Sequence, residues 1–296
     1  MASVACVGIA TLDEVWTIEA FPDAGTKTRA SQRTVVGGGV AANASVTVAR
    51  LGGQATFSGP LGDDDAASEI AVRLDREGVA VGFVPRLTGE SSPISVVLID
   101  AAGERTIINH AGAHLYTTAP TPEPAVFDHA DAVMTDVRWP AGATVALRAA
   151  SHRGVPAVVD CDHDPSQLTE LLAAASHVIF SQPVLEQFTG IAGPECLFAV
   201  AGITRAWVAA TSGDQGVHWI EEGTLRHHPA TPVEAVDTLG AGDVFSGSFT
   251  LLLAEGAQPG EAISFAADAA ALKCTRSGGR EGIPTRDEVE AFRSPA

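Results

Sequence analysis

From about residue 125 onward, short apolar runs alternate with helical or loop stretches, and this alternation constrains the fold more than any other feature of the chain. The runs are Ala132–Asp136, Ala157–Asp160, His177–Phe180 and Ala206–Ala210. Strands that alternate with helical stretches are typical of a parallel sheet with helices on both faces. The sequence therefore predicts an α/β fold built around a mainly parallel sheet.

Two other stretches have the period of exposed strands. Residues 14–36 alternate in polarity and are punctuated by Pro22 and Gly25, which favours antiparallel strands. Residues 92–109 alternate again on either side of a turn at Ala101–Gly103, which predicts a hairpin. Together these stretches predict a small sheet set apart from the main one.

The beginning of the chain predicts a strand and then a helix. Val4–Ala10 is an apolar run, and we expect a buried first strand that delivers Asp13 at its carboxyl end. Ala41–Leu51 has helical spacing and ends at a pair of glycines. Polar groups also end the later runs, and in open α/β sheets ligands lie outside the carboxyl ends of the strands. We therefore expect these strand ends to line one cleft: Asp13, Asp136, Asp160, Ser181 and Thr211.

Composition excludes several classes of partner and site. The net charge of −18 repels nucleic acid and anionic membranes, so an anionic substrate requires a local cluster of cations. The four cysteines show no metal-binding spacing and are expected to be buried thiols. The first ten residues lack the features of a signal peptide, and no apolar run reaches membrane-spanning length. We therefore expect one cytoplasmic domain over residues 1–296.

The strongest motif is Val236–Asp243, which is followed by the apolar spacing of a helix. Gly240 and Gly242 free the backbone to aim its N–H groups at one point, which makes an anion site at a helix start. Asp243 lies beside that site as a carboxylate. Phosphoryl transfer needs both parts, namely donors for the phosphoryl charge and a base for the hydroxyl proton. The alternative is that Asp243 only caps the helix and the glycines only form a turn.

Two further motifs are weaker. Gly37–Gly39 before a helix allows a ligand to approach the backbone, and Asn43 offers a donor and an acceptor, but a tight turn with a surface asparagine fits equally. Thr211–Gly216 follows a strand and fits either a nucleotide-phosphate loop or a hairpin turn. The chain has neither GxxxxGK[ST] nor a GxGxxG after its first strand, which counts against a Walker site and a dinucleotide dehydrogenase. The adjacent His227 and His228 are expected at the surface.

The glycine run with Asn43 and the string Asp237–Asp243 together resemble the two signatures of the ribokinase family of carbohydrate kinases, also called the pfkB family. The resemblance covers essentially the whole chain. It implies a ribokinase-like α/β/α sandwich with a small β-sheet lid, here from about residues 14–36 and 92–112. It also implies a kinase that uses ATP and Mg²⁺ on a sugar.

The resemblance assigns roles residue by residue. Asp243 matches the catalytic base, and the anion hole matches Gly240, Ala241 and Gly242. The positions that match sugar contacts are Asp13, Gly38, Gly39 and Asn43. The positions that match the ATP loop are Thr211, Gly213 and Gly216. Relatives contact adenine or a nearby monovalent cation such as K⁺ at the positions of Ala270, Cys274, Ser277 and Gly278. Asp237 is a candidate ligand of that cation.

One departure concerns the metal. Many members carry an NxxE motif near the metal and phosphates, whereas Ser181–Val184 here lacks both the Asn and the Glu. We therefore expect Mg²⁺ to be held by ATP phosphates and water, with Asp160 or Asp162 assisting indirectly.

A narrower similarity points to the acceptor. The stretches Asp136–Trp139, Phe180–Pro183 and Ala271–Arg280 are similar to bacterial 6-deoxy-6-sulfofructose kinases, which phosphorylate O1 of a ketohexose carrying a C6 sulfonate. The resemblance implies that the sulfonate is held by three residues, Lys27, Asn109 and Arg138. The alternative is that Arg138 pairs with Asp136 or another nearby acid and that Lys27 is solvated.

Three other functions stay open: a kinase of a neutral sugar such as fructose or ribose, a nucleoside kinase, and a non-catalytic regulator that binds sugar or nucleotide. A regulator would lack the aspartate at position 243, which is present here. A nucleoside kinase would have an aromatic-rich lid, whereas residues 14–36 contain only Trp16 and Phe21 as aromatic residues. An isolated small sheet is unstable, so we also expect a homodimer through residues 14–36 and 92–109.

Overall fold

The computed structural model describes residues 1–164, 166 and 168–294. The strands, in chain order, are β1 Ser3–Val7, β2 Thr11–Thr17, β3 Gln32–Gly38, β4 Gln54–Ser58, β5 Leu61–Gly62, β6 Ala80–Val81, β7 Arg86–Leu87, β8 Ile94–Ile99, β9 Arg105–His110, β10 Ala132–Asp136, β11 Ala157–Cys161, β12 His177–Ser181, β13 Trp207–Thr211, β14 Val217–Glu221 and β15 Thr224–His228. The helices are α1 Val40–Arg50, α2 Asp65–Arg76, α3 Leu115–Thr118, α4 Pro140–Arg153, α5 Leu168–Ala174, α6 Gln182–Thr189, α7 Leu197–Ala201, α8 Ala241–Ala254, α9 Pro259–Cys274 and α10 Arg286–Arg293.

In the described residues, nine strands form the main sheet in the order β15-β14-β13-β12-β11-β10-β1-β4-β6. The pairs from β13 through β6 are parallel, and β14 and β15 add an antiparallel edge. Helices cover both faces, because successive strand residues point to opposite sides. In β1, Val4 and Cys6 pack toward α1, α8 and α9, whereas Ala5 and Val7 pack toward α4. Burial on both faces explains why these strands read as continuous apolar runs.

The small sheet has the order β3-β2-β8-β9. The pairs β2–β3 and β8–β9 are antiparallel hairpin-like pairs, and a parallel pairing of β2 with β8 joins them. A further short parallel pair links β5 and β7. The predicted fold class, a mainly parallel sheet between helices with a smaller sheet apart from it, is confirmed. The prediction that residues 1–296 form one kinase domain stays a prediction.

The prediction for the first strand was wrong at its end. We expected one strand to run through Ala10 and to present Asp13 at its carboxyl end, but β1 ends at Val7 and Asp13 lies within β2 of the small sheet. The chain leaves the main sheet at Gly8, where φ is +150° and where any Cβ would overlap the Asp136 carboxylate, so only glycine fits. Asp13 therefore approaches the cleft from the small sheet.

Several expectations from composition can be compared with the described residues. Cys6, Cys161 and Cys196 are buried free thiols, and Cys274 is half-buried and also free. Among the residues described, no helix combines the length and the apolarity needed to cross a membrane. The cytoplasmic location stays a prediction.

Candidate active site

A cleft of about 540 Å³ lies between the carboxyl end of the main sheet and the inner face of the small sheet. All four strands of the small sheet contribute residues to it, and the main sheet contributes the segments after β10 and β11 and the starts of α1 and α8. The residues singled out from sequence that line the cleft are Asp13, Gly39, Asn43, Asn109, Arg138, Asp162, Gly240 and Asp243. The fold thus collects at one place residues that are more than 200 positions apart in the chain.

Asp243 and Asn43 are in direct contact in this cleft. The Asn43 side-chain amide donates a hydrogen bond to Oδ2 of Asp243 at 2.6 Å. Asn43 belongs to the first turn of α1 and Asp243 to the first turn of α8, and these helices pack side by side. The contact orients the carboxylate, and the second carboxylate oxygen remains for another partner.

The start of α8 provides N–H donors next to this carboxylate. Gly240 immediately precedes the helix with φ +80°, a left-handed conformation that favours glycine. The N–H groups of Gly242 and Asp243 have no hydrogen-bond acceptor in the part of the chain that the structure describes. Ala241 differs, because its N–H is bonded to the carbonyl of Thr238 at 3.2 Å. Free N–H groups and the positive end of a 14-residue helix make this an anion site.

Burial shifts the ionisation of Asp243. Desolvation raises the pKa of Asp243 to about 6, with the negative charge of Asp162 adding to the shift, while the Asn43 hydrogen bond and Arg138 oppose it. A carboxylate with such a pKa is ionised at neutral pH and is a stronger base than an exposed aspartate.

The sequence predicted no role for Arg280, which ends the segment Ala271–Arg280. Arg280 is 4% exposed, lines the cleft, and donates from Nε to Asn43 Oδ1 at 2.9 Å and from Nη2 to the Gly38 carbonyl at 2.9 Å. Its Nη1 has no hydrogen-bond partner among the described residues. Burial lowers the pKa of Arg280 to about 10, so it is still a cation at neutral pH. The signal available in the sequence was an arginine after two glycines, which alone predicts no role.

Two carboxylates that were expected to line the cleft lie beneath it. Asp136 is fully buried and accepts hydrogen bonds from the N–H groups of Ile9 at 2.7 Å and Arg138 at 2.9 Å. Asp160 is 5% exposed and accepts from the Ser246 hydroxyl at 2.6 Å. Burial raises the pKa of both groups. Their contacts fix the loops after β10 and β11, which carry Arg138 and Asp162 into the cleft.

Of the three residues expected to hold a sulfonate, two line the cleft and one does not. Arg138 lines the cleft and makes a two-pronged pair with Asp162, at 2.6 Å and 3.0 Å. Asn109 lines it too, and its amide donates to the Ser95 hydroxyl at 2.7 Å. Lys27 is exposed in the segment between β2 and β3 and does not line the cleft. The structure therefore brings two of the three together.

The residues expected to bind ATP lie outside this cleft. Thr211 ends β13, and the loop through Gly213 to Gly216 joins it to the antiparallel strand β14, so the loop does form a hairpin turn. On the other side, α9 carries Ala270 and ends at Cys274. The Cys274 carbonyl accepts from the N–H groups of Val236 and Asp237, at 2.7 Å and 3.1 Å. The segment with Ser277 and Gly278 follows α9, and Asp237 accepts from the Gly279 N–H at 3.1 Å.

The described residues include no cluster of three carboxylate, histidine or cysteine side chains that could hold a metal ion. Asp160 is engaged by Ser246, and Asp162 by Arg138. The expectation, from the missing NxxE motif, that Mg²⁺ is held by nucleotide phosphates and water stays a prediction.

Comparison with known proteins adds independent information. The family model for pfkB family carbohydrate kinases matches residues 1–286. The ribokinase of Bacillus subtilis is 29% identical over 299 residues, covering 99% of this chain and all of that protein. The fructokinase of Klebsiella pneumoniae is 29% identical over 282 residues, covering 86% of this chain and 90% of that protein.

Solved structures show the same fold. A crystal structure from Agrobacterium tumefaciens matches with a TM-score of 0.94 and 36% identity, covering 99% of this chain and 97% of that one. The Arabidopsis thaliana ribokinase, solved with ribose and ATP, matches with a TM-score of 0.88 and 25% identity, covering 99% of each chain.

Proposed function

We propose, from the premise that this chain belongs to the pfkB family of carbohydrate kinases, that it transfers the γ-phosphoryl group of ATP to O1 of a ketohexose. The coarser activity, phosphoryl transfer to a sugar hydroxyl, follows from family membership. The observation that carries the site assignment is the contact of Asp243 with Asn43 beside the free N–H groups of α8.

In this proposal different residues of the cleft have different roles in the reaction. Asp243 accepts the proton of the sugar hydroxyl as the oxygen–phosphorus bond forms and the bond to the ADP oxygen breaks. The N–H groups of Gly242 and Asp243 bind the charge on the transferring phosphoryl group. Mg²⁺ would be held by the nucleotide phosphates and water, with Asp160 or Asp162 assisting indirectly, and would neutralise phosphate charge there.

In this proposal the sugar lies on the side of Asp243 that is opposite to the N–H groups of α8. Asp13, whose Oδ1 accepts from the Thr11 hydroxyl at 2.7 Å, and Asn43 present oxygen and nitrogen atoms to its hydroxyls. Arg280 also faces the cleft and has an Nη1 without a described partner, which makes it a further donor for the sugar.

We propose 6-deoxy-6-sulfofructose as the acceptor. The pair between Arg138 and Asp162 uses two of the five guanidinium N–H donors, so three remain for a sulfonate. Asn109, which lines the same cleft, offers a neutral donor. Lys27 would have to approach by movement of the small-sheet segment that carries it.

A neutral sugar is the second candidate, and a specific observation favours it. The Asp162 carboxylate already compensates the Arg138 charge, and the second expected cation, Lys27, lies outside the cleft. A neutral ketose would need no further charge there. The names of the relatives, ribokinase and fructokinase, point the same way.

ADP release measured with a panel of neutral and C6-anionic ketoses tests the proposal. We expect turnover with at least one ketose and a product in which phosphorus nuclear magnetic resonance places the phosphate on O1. Transfer to a different hydroxyl, or no turnover with any ketose while an aldose is phosphorylated, would contradict it.

A further inference from the structure

Lys273 is a buried cation that does not line the candidate active site. The chain has two lysines, Lys27 and Lys273, among its 18 basic residues. Lys27 is exposed, whereas the Lys273 side chain is 0% exposed. Burying an ammonium group is costly unless it is paired and hydrogen-bonded, so its partners indicate what it does.

The partner of Lys273 is Asp237, the first residue of the glycine-rich string. Nζ donates to the Asp237 carbonyl at 2.8 Å and lies 3.6 Å from Asp237 Oδ2. Arg105 of β9 approaches the same carboxylate from the small sheet, with Nη1 3.5 Å from Oδ1. Asp237 is therefore neutralised by two cations of the chain itself.

Asp237 in turn fastens the loop that leads into α8. Its Oδ1 accepts from the Leu239 N–H at 2.9 Å, and its Oδ2 accepts from the Gly279 N–H at 3.1 Å. Gly240 follows directly and begins the anion site. The position of this loop determines where the N–H groups of Gly242 and Asp243 point, because only a few residues separate them from Asp237.

The resemblance implies a monovalent cation such as K⁺ near Asp237, and the residues present do not fit one. An alkali cation needs several oxygen atoms with free lone pairs that converge on one point. Here the Asp237 carbonyl faces the Lys273 ammonium, and the Cys274 carbonyl accepts from the Val236 and Asp237 N–H groups. A second cation placed beside the Lys273 Nζ would be repelled by its charge.

We propose that the Lys273 ammonium takes the place of the monovalent cation at Asp237, so that this kinase positions its anion-site loop without added K⁺. The proposal rests on the proposed function, because it assumes that the loop serves phosphoryl transfer. Lys273 does not line the sugar cleft and acts through Asp237, so it is a positioning residue. Burial lowers the pKa of Lys273, and Asp237 opposes this shift more than any other group does, which fits an ammonium held by this carboxylate.

The first experiment uses the wild-type enzyme. Its kcat is measured with tetramethylammonium, Na⁺ or K⁺ salts at one ionic strength and saturating Mg²⁺-ATP. We expect kcat to differ by less than about twofold among them, because the site already holds its cation. Activation of the wild type by several-fold in K⁺ would overturn the proposal and needs no variant.

The second experiment removes the ammonium. Lys273→Ala should lower kcat by about 10–100-fold, because a displaced loop misplaces the phosphoryl donors, while KM for the sugar changes little. K⁺ or NH₄⁺, but not tetramethylammonium, should restore part of the lost kcat. Lys273→Met, which keeps the apolar length and fills the space, should lose activity without this rescue. Full activity in either variant, or a loss in Lys273→Ala that no cation relieves, would overturn the proposal.

A control and a second readout separate this proposal from the proposed function. Arg276→Met removes a partly exposed partner of Glu288 near the end of α9 and should remain insensitive to K⁺. Tm measures cation binding without turnover: K⁺ should raise Tm of Lys273→Ala relative to tetramethylammonium and leave the wild-type Tm unchanged. This readout decides the matter even if none of the ketoses is a substrate.

Discussion

The environment of Asp243 suits it to the role that we propose for it, that of a base at neutral pH. Burial pushes its pKa up, and the hydrogen bond from Asn43 limits that rise and holds one carboxylate oxygen in place. Arg280 in turn fixes Asn43 by donating to its side-chain oxygen, and it anchors the glycine segment through the Gly38 carbonyl. A chain of contacts therefore runs from a buried arginine to Asp243, the proposed base.

Asp243→Asn tests the role of the base. The substitution keeps the size of the side chain and removes its ability to accept a proton. General-base contributions are about 10²–10⁴-fold, so kcat should fall at least ~100-fold while ATP binding changes little. A variant that keeps more than about a tenth of the wild-type kcat would rule out Asp243 as the base.

The pH profile tests the same residue through its ionisation. The protonated carboxyl cannot act as a base, so kcat/KM should fall as pH decreases through about 6, following a single ionisation. Asn43→Ala removes a hydrogen bond that favours the carboxylate, and it should move this limb to higher pH. An acidic limb near the value of an exposed aspartate, or one that Asn43→Ala does not move, would contradict the assignment.

At the scale of elements, the sequence predicted what depends on local pattern and on motif order. The parallel strands, the hairpin of β8 and β9 and the start of α8 all follow from apolar period and glycine placement. The place of Asp13 in β2 did not follow, because the chain leaves the main sheet at Gly8, where only a residue without a Cβ clears the carboxylate of Asp136, more than a hundred residues away. The sequence did offer the alternative that Arg138 pairs with a nearby acid, which in the structure is Asp162. The partners of Lys273 and Arg280 could not be predicted, since each depends on which helices and loops pack together.

The small sheet carries a prediction about assembly. Val96 and Ile108 are cross-strand partners in β8 and β9, and Ile108, on an edge strand, is 60% exposed. An exposed apolar edge of this kind favours pairing with a second copy. We expect a homodimer through residues 14–36 and 92–109 in sedimentation velocity at micromolar concentration.

A pair of variants checks this surface. Ile108→Asp should shift the sedimentation coefficient to that of a monomer, because it places a charge in the expected interface. Ile203→Asp is the matched control, since Ile203 is 67% exposed in the turn after α7. A wild type that is monomeric at these concentrations would contradict the dimer, as would equal effects of both variants.

At the scale of the whole molecule, the net charge bears on whether the sugar acceptor is anionic or neutral. A chain with net charge −18 disfavours anionic ligands everywhere except where cations are gathered, and Arg138 and Arg280 both line the cleft. Asp162 offsets part of this positive charge. Under the proposed function, the balance between these groups decides whether the cleft selects an anionic or a neutral ketose.

The proposal of an anionic acceptor is tested by kcat/KM for sulfofructose and for fructose, measured in the wild type and in Arg138→Ala. We expect the wild type to prefer sulfofructose. Losing one charge-assisted contact is worth about 1.5–3 kcal/mol, so Arg138→Ala should lower kcat/KM for sulfofructose by about 10–150-fold and change that for fructose much less. Arg148→Ala, an exposed site on α4 away from the cleft, should change neither value. Equal losses on both sugars in Arg138→Ala, or a wild type that prefers fructose, would contradict the anionic acceptor.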